Sequence, residues 1–405
     1  MNGRGDAGGD VRRLAALMFT GFVDTLGVFL VLALLPFYAR ELGAGPVAVG
    51  ALVSAFAVAQ TISAPLWGRA SDRWGRRPII LLGLALSIVA YLIFAFAESL
   101  WLLLASRLVQ GLGGGTVSVV FAYISDAVPP AHRAERIGWV TAATSGAAMV
   151  GPAVGSVAVR FDPAYPGLAA ALLCVLSLAL AAVWLPEPAG VRRTAKPAQS
   201  LRGALARVVA HPAEVAPTLI WIYALGMLAT TALTAIIGLY LDDRFGVGEG
   251  DIWVFFTYLA GLSLVARVTV LGPLVRALGE VRVLRLGALL LAAGLLAMPW
   301  PGTAYGMWWA VPLVALGNSL LYPCTTALVS RSARRAEETG QILGVQQAFG
   351  GLARIGGPLV AGALFGHVGP AAPFLAAGLL MVVTAAWALR LPRAVDGRAA
   401  AGPIE

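Results

Sequence analysis

Charged side chains inside the long apolar runs of this chain are the first candidates for chemistry. Asp24 stands between Gly21 and Gly27 in the run 14–38, and Arg107 stands in another run. A charge at membrane depth is costly and therefore indicates function. Apolar surroundings raise the pKa of a carboxyl group, whereas a nearby cation lowers it. The two residues are therefore predicted to couple proton movement to the activity of the protein.

Helix geometry brings Asp24 and Arg107 within reach of one another. At 1.5 Å per residue, Asp24 lies about 15 Å from the inner boundary, and Arg107 lies about 10 Å from the outer one. In a hydrocarbon core about 30 Å thick, their backbones differ in depth by only about 5 Å, which an arginine side chain can cover.

The composition requires a membrane to bury these runs. Of 405 residues, 59% are hydrophobic and 12% are charged, against roughly 25% charged in soluble domains. Because a spanning helix takes about 20 residues, the chain is predicted to be an all-α polytopic membrane protein with twelve transmembrane helices. The predicted spans are 14–38, 47–67, 78–97, 100–123, 137–159, 166–185, 215–241, 252–274, 283–300, 305–329, 339–366 and 371–391.

The distribution of basic residues predicts the orientation. With the N-terminus inside, the outer loops hold three of the 29 basic residues, the spans hold Arg107, Arg267 and Arg354, and the other 23 face the cytoplasm. Basic residues mark the inner side of a membrane. We therefore expect both termini in the cytoplasm and the protein in the plasma membrane, with a bacterial inner membrane favoured.

Several classes of site are not expected. Cys174 and Cys324 lie in apolar runs, and the three histidines are far apart, so neither a disulfide framework nor a metal site is predicted. No phosphate-binding loop appears, so no cofactor is implied. The net charge of +9 comes from short loops rather than from a continuous basic face, which argues against nucleic acid as a partner.

The chain divides into two halves that repeat. Glycines and a Gly-Pro pair recur at offsets of 204 to 206, as in Gly151-Pro152 and Gly357-Pro358, which is typical of secondary transporters with a parallel repeat. The predicted parts are a cytoplasmic tail 1–13, a six-helix half 14–185, a cytoplasmic linker 186–214 with a short amphipathic helix from Ser200 to Val209, a second six-helix half 215–391 and a cytoplasmic tail 392–405.

The loop after the second span carries the most specific motif. It reads Gly68-Arg-Ala-Ser-Asp72-Arg73-Trp-Gly75-Arg76-Arg77, with glycines suited to a close approach and a tight turn. It resembles the signature loop of the major facilitator superfamily. In the second half, Gly272 to Gly279 keeps the glycines but has Arg276 in the place of Asp72.

Further motifs resemble the twelve-helix drug:proton antiporter branch, which includes tetracycline exporters. They are Asp24 with Gly27 in span one and Tyr123 to Arg133 after span four. Arg107 to Gly114 in span four resembles the superfamily's fourth-helix motif, and Gly146-Ala-Ala-Met-Val-Gly151-Pro152-Ala-Val-Gly155 in span five resembles the superfamily motif associated with antiporters. The span-five motif implies export by that resemblance. The third span lacks an acidic residue, which argues against tetracycline itself as the substrate.

The resemblance also implies a conformational gate at the inner side. Asp72 is expected to face the N-terminal end of span eleven, near Glu338 to Gln341, and Arg73 is expected to pair with Asp126. A helix N-terminus favours an anion, which fits the first contact.

A substrate cavity is expected among polar and aromatic residues inside the spans. Its candidates are Gln60, Trp221, Tyr223, Asn318, Gln347 and Arg354. Hydrogen bonding between helices explains the polar members equally well, and packing or an interfacial aromatic belt explains the aromatic ones.

Together these features predict a secondary active transporter that exports a small amphiphilic molecule in exchange for protons and works as a monomer. A proton-coupled symporter for a metabolite is one alternative. A polytopic membrane enzyme, receptor or scaffold is another, but an enzyme would show carboxylates or histidines clustered at one depth, and only one intramembrane acid is found.

Overall fold

Helices make up the regular structure of the residues that the computed structural model describes, which are 7–188, 201–332 and 336–391. The helices of the first half are α1 (Ala7–Glu41), α2 (Pro46–Trp74), α3 (Arg76–Ala95), α4 (Leu100–Gly114), α5 (Val117–Ala127), α6 (Pro130–Val159) and α7 (Tyr165–Trp184). Ser99 starts α4 by accepting a hydrogen bond from the Leu102 amide at 3.3 Å, and prolines occupy the first turn of α2 and α6, where no amide donor is needed.

The second half follows the same plan. Its helices are α8 (Leu201–Ala210), α9 (Val215–Phe245), α10 (Trp253–Val265), α11 (Leu271–Leu278), α12 (Glu280–Ala297), α13 (Ala310–Ser332), α14 (Ala336–His367) and α15 (Ala372–Ala388). A π-helical turn, Ala266–Val270, joins α10 to α11, and a 3₁₀ turn, Ala304–Trp309, leads into α13. The region 189–200 of the predicted linker, the whole tail 392–405 and the first six residues lie outside the described residues.

The helices correspond to the twelve predicted spans. Ten described segments are long and apolar enough to cross a membrane, with α4–α5 and α10–α11 each counting as one. The two remaining spans are α12, whose first turns carry Glu280, Arg282 and Arg285, and α15, which has only 17 residues. The predicted all-α fold is therefore confirmed.

The chain forms two compact units. The first comprises Met1–Pro197 with Val247–Thr257, and the second comprises Ala198–Gly246 with Tyr258–Glu405. The segment Val247–Thr257, which follows α9 in the chain, thus belongs with the first unit, whereas the sequence placed it in the second half. The limits predicted for the two tails and the linker stay predictions.

In the buried core of each unit, the repeated Gly-Pro motif packs one helix directly against another. In the first unit, a Cβ added at Gly151 of α6 would lie 2.6 Å from the Leu26 carbonyl oxygen of α1. In the second, a Cβ at Gly357 of α14 would lie 2.7 Å from the Leu228 carbonyl oxygen of α9. Only glycine permits such an approach of two helix backbones. The repeat in the sequence is therefore a repeat in the packing.

Candidate functional site

Asp24 lies inside the first unit with no partner for its carboxylate. The residue is 7% exposed, thirteen residues from Val11 and seventeen from Glu41 in its span. No hydrogen bond or ion pair to it exists among the described residues. An unpaired carboxylate in apolar surroundings is expensive in its charged form, so this group is suited to binding a proton.

Tyr91 of α3 forms a hydrogen bond with α4 and interacts electrostatically with Asp24. Its hydroxyl accepts a hydrogen bond of 2.7 Å from Gln110 Nε2 and interacts electrostatically with both Asp24 and Arg107. Because Gln110 acts as the donor, the hydrogen of the tyrosine remains available for an acceptor such as the carboxylate. Gly27, one turn beyond Asp24, leaves the room that the Tyr91 ring occupies.

Arg107 is held beside this group without a full set of partners. It is 3% exposed; its Nε donates to Ser106 Oγ at 3.4 Å, and its guanidinium lies 5.4 Å from the centroid of the Phe94 ring. Its Nη2 has no hydrogen-bond partner, and neither has Oε1 of Gln110. An unsatisfied buried donor costs about 1–3 kcal/mol, as much as the cation–π contact contributes. A further acceptor would therefore stabilise this arginine.

The direct contact expected between Asp24 and Arg107 is not formed in this structure. No hydrogen bond or ion pair joins the two within the described part of the chain. Tyr91 interacts electrostatically with both residues instead. In the chain, its helix α3 comes after α1, which carries Asp24, and before α4, which carries Arg107. The depth estimate rested on span positions alone and could not show that Tyr91 interacts with both residues.

A second polar cluster lies in the second unit and centres on Thr230 of α9. Its hydroxyl is 2.6 Å from the Tyr322 hydroxyl and donates to Asn318 Oδ1 at 3.0 Å. Tyr322 packs edge-on against Tyr223 at 5.5 Å between ring centroids, and Gln347 Nε2 donates to the Tyr223 hydroxyl at 3.5 Å. Three predicted cavity residues, Tyr223, Asn318 and Gln347, are thus brought together.

Two other predicted cavity residues have structural contacts. Gln60 Nε2 donates to the Gly114 carbonyl at 3.4 Å and so joins α2 to α4. Trp221 Nε1 donates to the Val208 carbonyl at 3.2 Å, and its ring packs against Phe349. Trp221 therefore fastens the linker helix α8 to α9 and α14. The Gln60 contact is the hydrogen bonding between helices that was the alternative for the polar candidates, and the Trp221 ring has the packing role that was an alternative for the aromatic ones.

The signature loop is organised by Arg76 rather than by Arg73. Arg76 Nη2 lies 2.7 Å from Asp72 Oδ1, and its Nε lies 2.9 Å from Asp126 Oδ2. Its Nη1 donates to Ser71 Oγ at 2.5 Å. Arg73 is exposed, so the expected pair of Arg73 with Asp126 is replaced by one that Arg76 forms. The reason is that Arg76 starts α3 and points inward toward the end of α5.

Glu187 is a part of this site that the sequence did not indicate. Its two carboxylate oxygens accept hydrogen bonds from the backbone amides of Arg76 at 2.6 Å and Arg77 at 3.0 Å. An anion at a helix N-terminus is stabilised by the unpaired amides there. Gly75 has φ of +104° and would bring a Cβ within 2.7 Å of the Glu187 carboxylate, so glycine is required. The space beside Gly68 is open, and the close approach expected there is not formed.

The span-five motif divides into packing and non-packing glycines. Gly151 and Gly155 both face α1, where added Cβ atoms would meet Leu26 and Leu30. Pro152 is buried beside them, while nothing lies within 4 Å of a Cβ at Gly146. The motif therefore seats α6 on the helix that carries Asp24.

Comparison with known proteins agrees with this architecture. The family model described as Major Facilitator Superfamily matches residues 17–355 and 253–403. The chain belongs to the major facilitator superfamily. It is therefore a membrane transporter of small molecules rather than an enzyme.

The curated relatives of this major facilitator protein include proteins named for drug resistance. Multidrug resistance protein 2 of Bacillus subtilis is 28% identical over 89% of this chain and 90% of its own length. Tetracycline resistance protein, class G, of Vibrio anguillarum is 30% identical over 87% and 90%. These relatives place the chain in the drug:proton antiporter branch.

A solved structure supports the fold. The crystal structure of the human organic anion transporter MFSD10 (TETRAN) matches with a TM-score of 0.69 and 22% identity, covering 94% of this chain and 99% of that one. At this identity the likeness concerns the fold alone.

Proposed function

We propose that this transporter is a proton-coupled antiporter that exports small amphiphilic molecules by alternating access. The observation that carries the proposal is Asp24, a mid-span carboxylate without a partner beside the Tyr91–Gln110 hydrogen bond. Export is supported by the names of the relatives, which describe multidrug and tetracycline resistance. The protein acts as a monomer in a bacterial inner membrane, with both termini in the cytoplasm.

The coupling follows from the charge state of the Asp24 carboxylate. When Asp24 is protonated, the group is neutral and needs no ionic partner. When it is deprotonated, the charge must be balanced, and Arg107 has an unpaired Nη2 to supply that balance. A proton entering from outside and a substrate leaving from inside would thus favour different arrangements of the same residues.

The inner loop supplies the conformational gate. Arg76 links Asp72 to Asp126, and Glu187 with Arg77 ties the start of α3 to the end of α7. We assign Gly68, Asp72, Arg73, Gly75, Arg76, Arg77 and Asp126 to this gate, with Arg76 as its central ion-pair partner. A latch of this kind needs to shift a two-state equilibrium by only a few kcal/mol to change the populations strongly.

Everted membrane vesicles provide the test. Respiration acidifies the vesicle lumen, and a substrate that enters in exchange for protons raises the luminal pH, which a quenched acridine dye reports. Ethidium, norfloxacin and tetracycline are suitable probes. Wild type should restore dye fluorescence with at least one of them, and Asp24→Asn should not.

Two variants serve as controls. Asp24→Glu keeps a carboxyl and should retain part of the exchange, whereas Asp162→Asn makes the same chemical change at an exposed residue and should behave as wild type. Full proton exchange by Asp24→Asn would overturn the role of this residue. Probe movement in the same direction as protons would favour a symporter instead.

A further inference from the structure

Two arginines of the second unit lie deep within their spans. Arg267 is fourteen residues from Trp253 and eleven from Leu278, and Arg354 is sixteen residues from Glu338 and thirteen from His367. At 1.5 Å per residue, each lies about 16 Å or more from either end of its helix. Neither can reach the membrane surface in the manner of an arginine near a helix end.

Neither arginine has an acidic partner. Among the described residues, no carboxylate forms an ion pair with Arg267 or Arg354, and the interaction of both that the structure records is an electrostatic one with the Tyr322 hydroxyl. Nε of Arg354 is buried without a hydrogen bond, and Arg267 is exposed. Because a guanidinium is not stable against hydrocarbon, both heads require water or an anion.

The backbone around Arg267 is specialised. It lies in the π-helical turn Ala266–Val270, inside an otherwise α-helical span. Single π-turns of this kind occur frequently at functional sites, since the extra residue redirects the side chains that follow. Arg267 interacts electrostatically with Tyr322, which belongs to the cluster where Thr230 and Asn318 supply further neutral hydrogen-bonding groups.

The middle of the second unit's spans carries an excess of positive charge. Arg267 and Arg354 lie there, and no carboxylate lies at that depth in the described spans of this unit. An uncompensated charge in a low-dielectric interior is costly, so a ligand that brings a negative charge would be stabilised.

We propose that Arg267 and Arg354, with Tyr322 and Thr230, bind a negatively charged group on the transported molecule. The planar guanidinium forks match carboxylate, sulfonate and phosphate oxygens, and the neighbouring rings of Tyr223 and Tyr322 suit an apolar or aromatic body. The substrate class is therefore an amphiphilic organic anion or zwitterion. This assignment rests on the proposed function, because it presumes that the cluster contacts a transported substrate.

Direct binding to the purified full-length protein in detergent tests the assignment. Three probes share a naphthalene body and differ in the charge of a small head group: 2-naphthoate, 2-naphthylmethanol and 2-naphthylmethylammonium. Wild type should bind radiolabelled naphthoate at least about tenfold more tightly than the other two. Equal binding of the three, preference for the cation, or no naphthoate binding would overturn the proposal, and this comparison needs no variant.

Variants then locate the site. The double substitution Arg267→Gln with Arg354→Gln should weaken naphthoate binding at least about tenfold and leave naphthylmethanol binding unchanged. Arg276→Gln removes an exposed arginine near the end of the same span and should bind as wild type. Naphthoate binding by the folded double variant that equals wild type would place the anion elsewhere and sink the assignment.

The lipid headgroup is the other source of a negative charge. Mixed micelles containing phosphatidylglycerol should compete with naphthoate only weakly if the site is for substrate. Displacement of naphthoate by phosphatidylglycerol at a few per cent of the lipid would assign the arginines to a lipid and overturn a substrate role.

Failure of this inference and failure of the proposed function can be told apart. Asp24→Asn should bind naphthoate as wild type while losing proton exchange. Retained exchange in that variant would count against the coupling residue alone, whereas loss of anion preference in wild type would count against the arginine cluster alone.

Discussion

The two halves both place charged groups inside their spans, but the charges differ. The first unit has one acid and one base, Asp24 and Arg107, which both interact electrostatically with Tyr91. The second has two bases, Arg267 and Arg354, which both interact electrostatically with Tyr322, and neither has an ion-paired acid among the described residues. In the proposals above, the first half therefore handles protons and the second binds an anion, and each cluster includes a tyrosine.

The packing devices, by contrast, are shared. Gly75 and Gly279 precede α3 and α12 with similar backbone angles, φ of +104° and +85°. Arg77 donates to the Ala182 carbonyl at the end of α7, and Arg285 donates to the Ala388 carbonyl at the end of α15. Ala182 and Ala388 are 206 positions apart, the same offset as the Gly-Pro motif. The repeat therefore preserves how helices are joined, while the residues that carry chemistry have diverged.

The largest difference is expected at the two inner loops. Arg76→Ala removes a cation from between Asp72 and Asp126 and leaves Asp126, whose side chain is 7% exposed, with its charge unbalanced. Breaking a buried pair from one side costs about 3–5 kcal/mol. Arg276→Ala changes an exposed residue and should cost at most about 0.5 kcal/mol. Thermal unfolding in detergent measures both, and equal losses would contradict the asymmetry.

The shared packing gives the next largest effect. Gly151→Ala and Gly357→Ala each force a Cβ against a backbone carbonyl of the facing helix, and overpacking of this kind costs about 1–3 kcal/mol. Gly146→Ala, in the same motif but with open space beside it, should be neutral or slightly stabilising. A melting series of the three proteins checks this. A loss at Gly151 without a loss at Gly357 would break the structural repeat.

Much of the fold could be predicted because its signals are local. Apolar length predicts the spans, and Asp24 and Arg107 are conspicuous because a charge in an apolar run is rare. The Gly-Pro motif is visible because its spacing repeats. All three kinds of signal can be recognised in the sequence without knowing which helices are in contact.

The partners within the site could not be predicted in the same way. Tyr91 is one aromatic residue in an apolar run and gives no sign that it approaches Asp24. Glu187 lies in a proline-flanked stretch, 111 positions from the amide that it accepts from. Asp72 and Arg76 are four positions apart, a spacing that favours Arg76 over Arg73 as the ion-pair partner. Because Gly75 breaks the helix between the two residues, the spacing was not a clear signal in the sequence.

The two central tyrosines sharpen the contrast between proton and substrate. Tyr91→Phe removes the group that approaches both Asp24 and Arg107 and accepts from Gln110, so the pH dependence of exchange should shift. A hydrogen bond of this kind contributes about 0.5–1.5 kcal/mol, or roughly two- to tenfold in rate. Tyr322→Phe should instead weaken naphthoate binding by a similar factor and leave the pH profile unchanged. The pH profile is measured in everted vesicles, and naphthoate binding is measured by the probe-binding assay. A shifted pH profile in Tyr322→Phe together with weakened naphthoate binding in Tyr91→Phe would contradict the division of roles.

The smallest effect is expected at the segment Val247–Thr257, which docks on the first unit. Arg160 lies 2.8 Å from Asp251, and Ser156 donates to the Glu249 carbonyl at 2.6 Å. Burial raises the pKa of the Glu249 carboxyl above its ordinary value of 4.5, and Glu41 raises it further. Asp162 and Tyr38 lie in the same region.

The Glu249 carboxyl binds its proton more tightly when the segment is docked than when it is undocked, and this sets the sign of the pH dependence. Docking is therefore fully stabilised below about pH 4.5 and weakens as the pH rises through the raised pKa. Glu249→Gln should remove this pH dependence, and Glu41→Gln should reduce it. Hydrogen exchange of residues 247–257, corrected for intrinsic rates, measures the docking directly. Protection that falls as the pH rises, equally in wild type and Glu249→Gln, would exclude Glu249 as the responsible group.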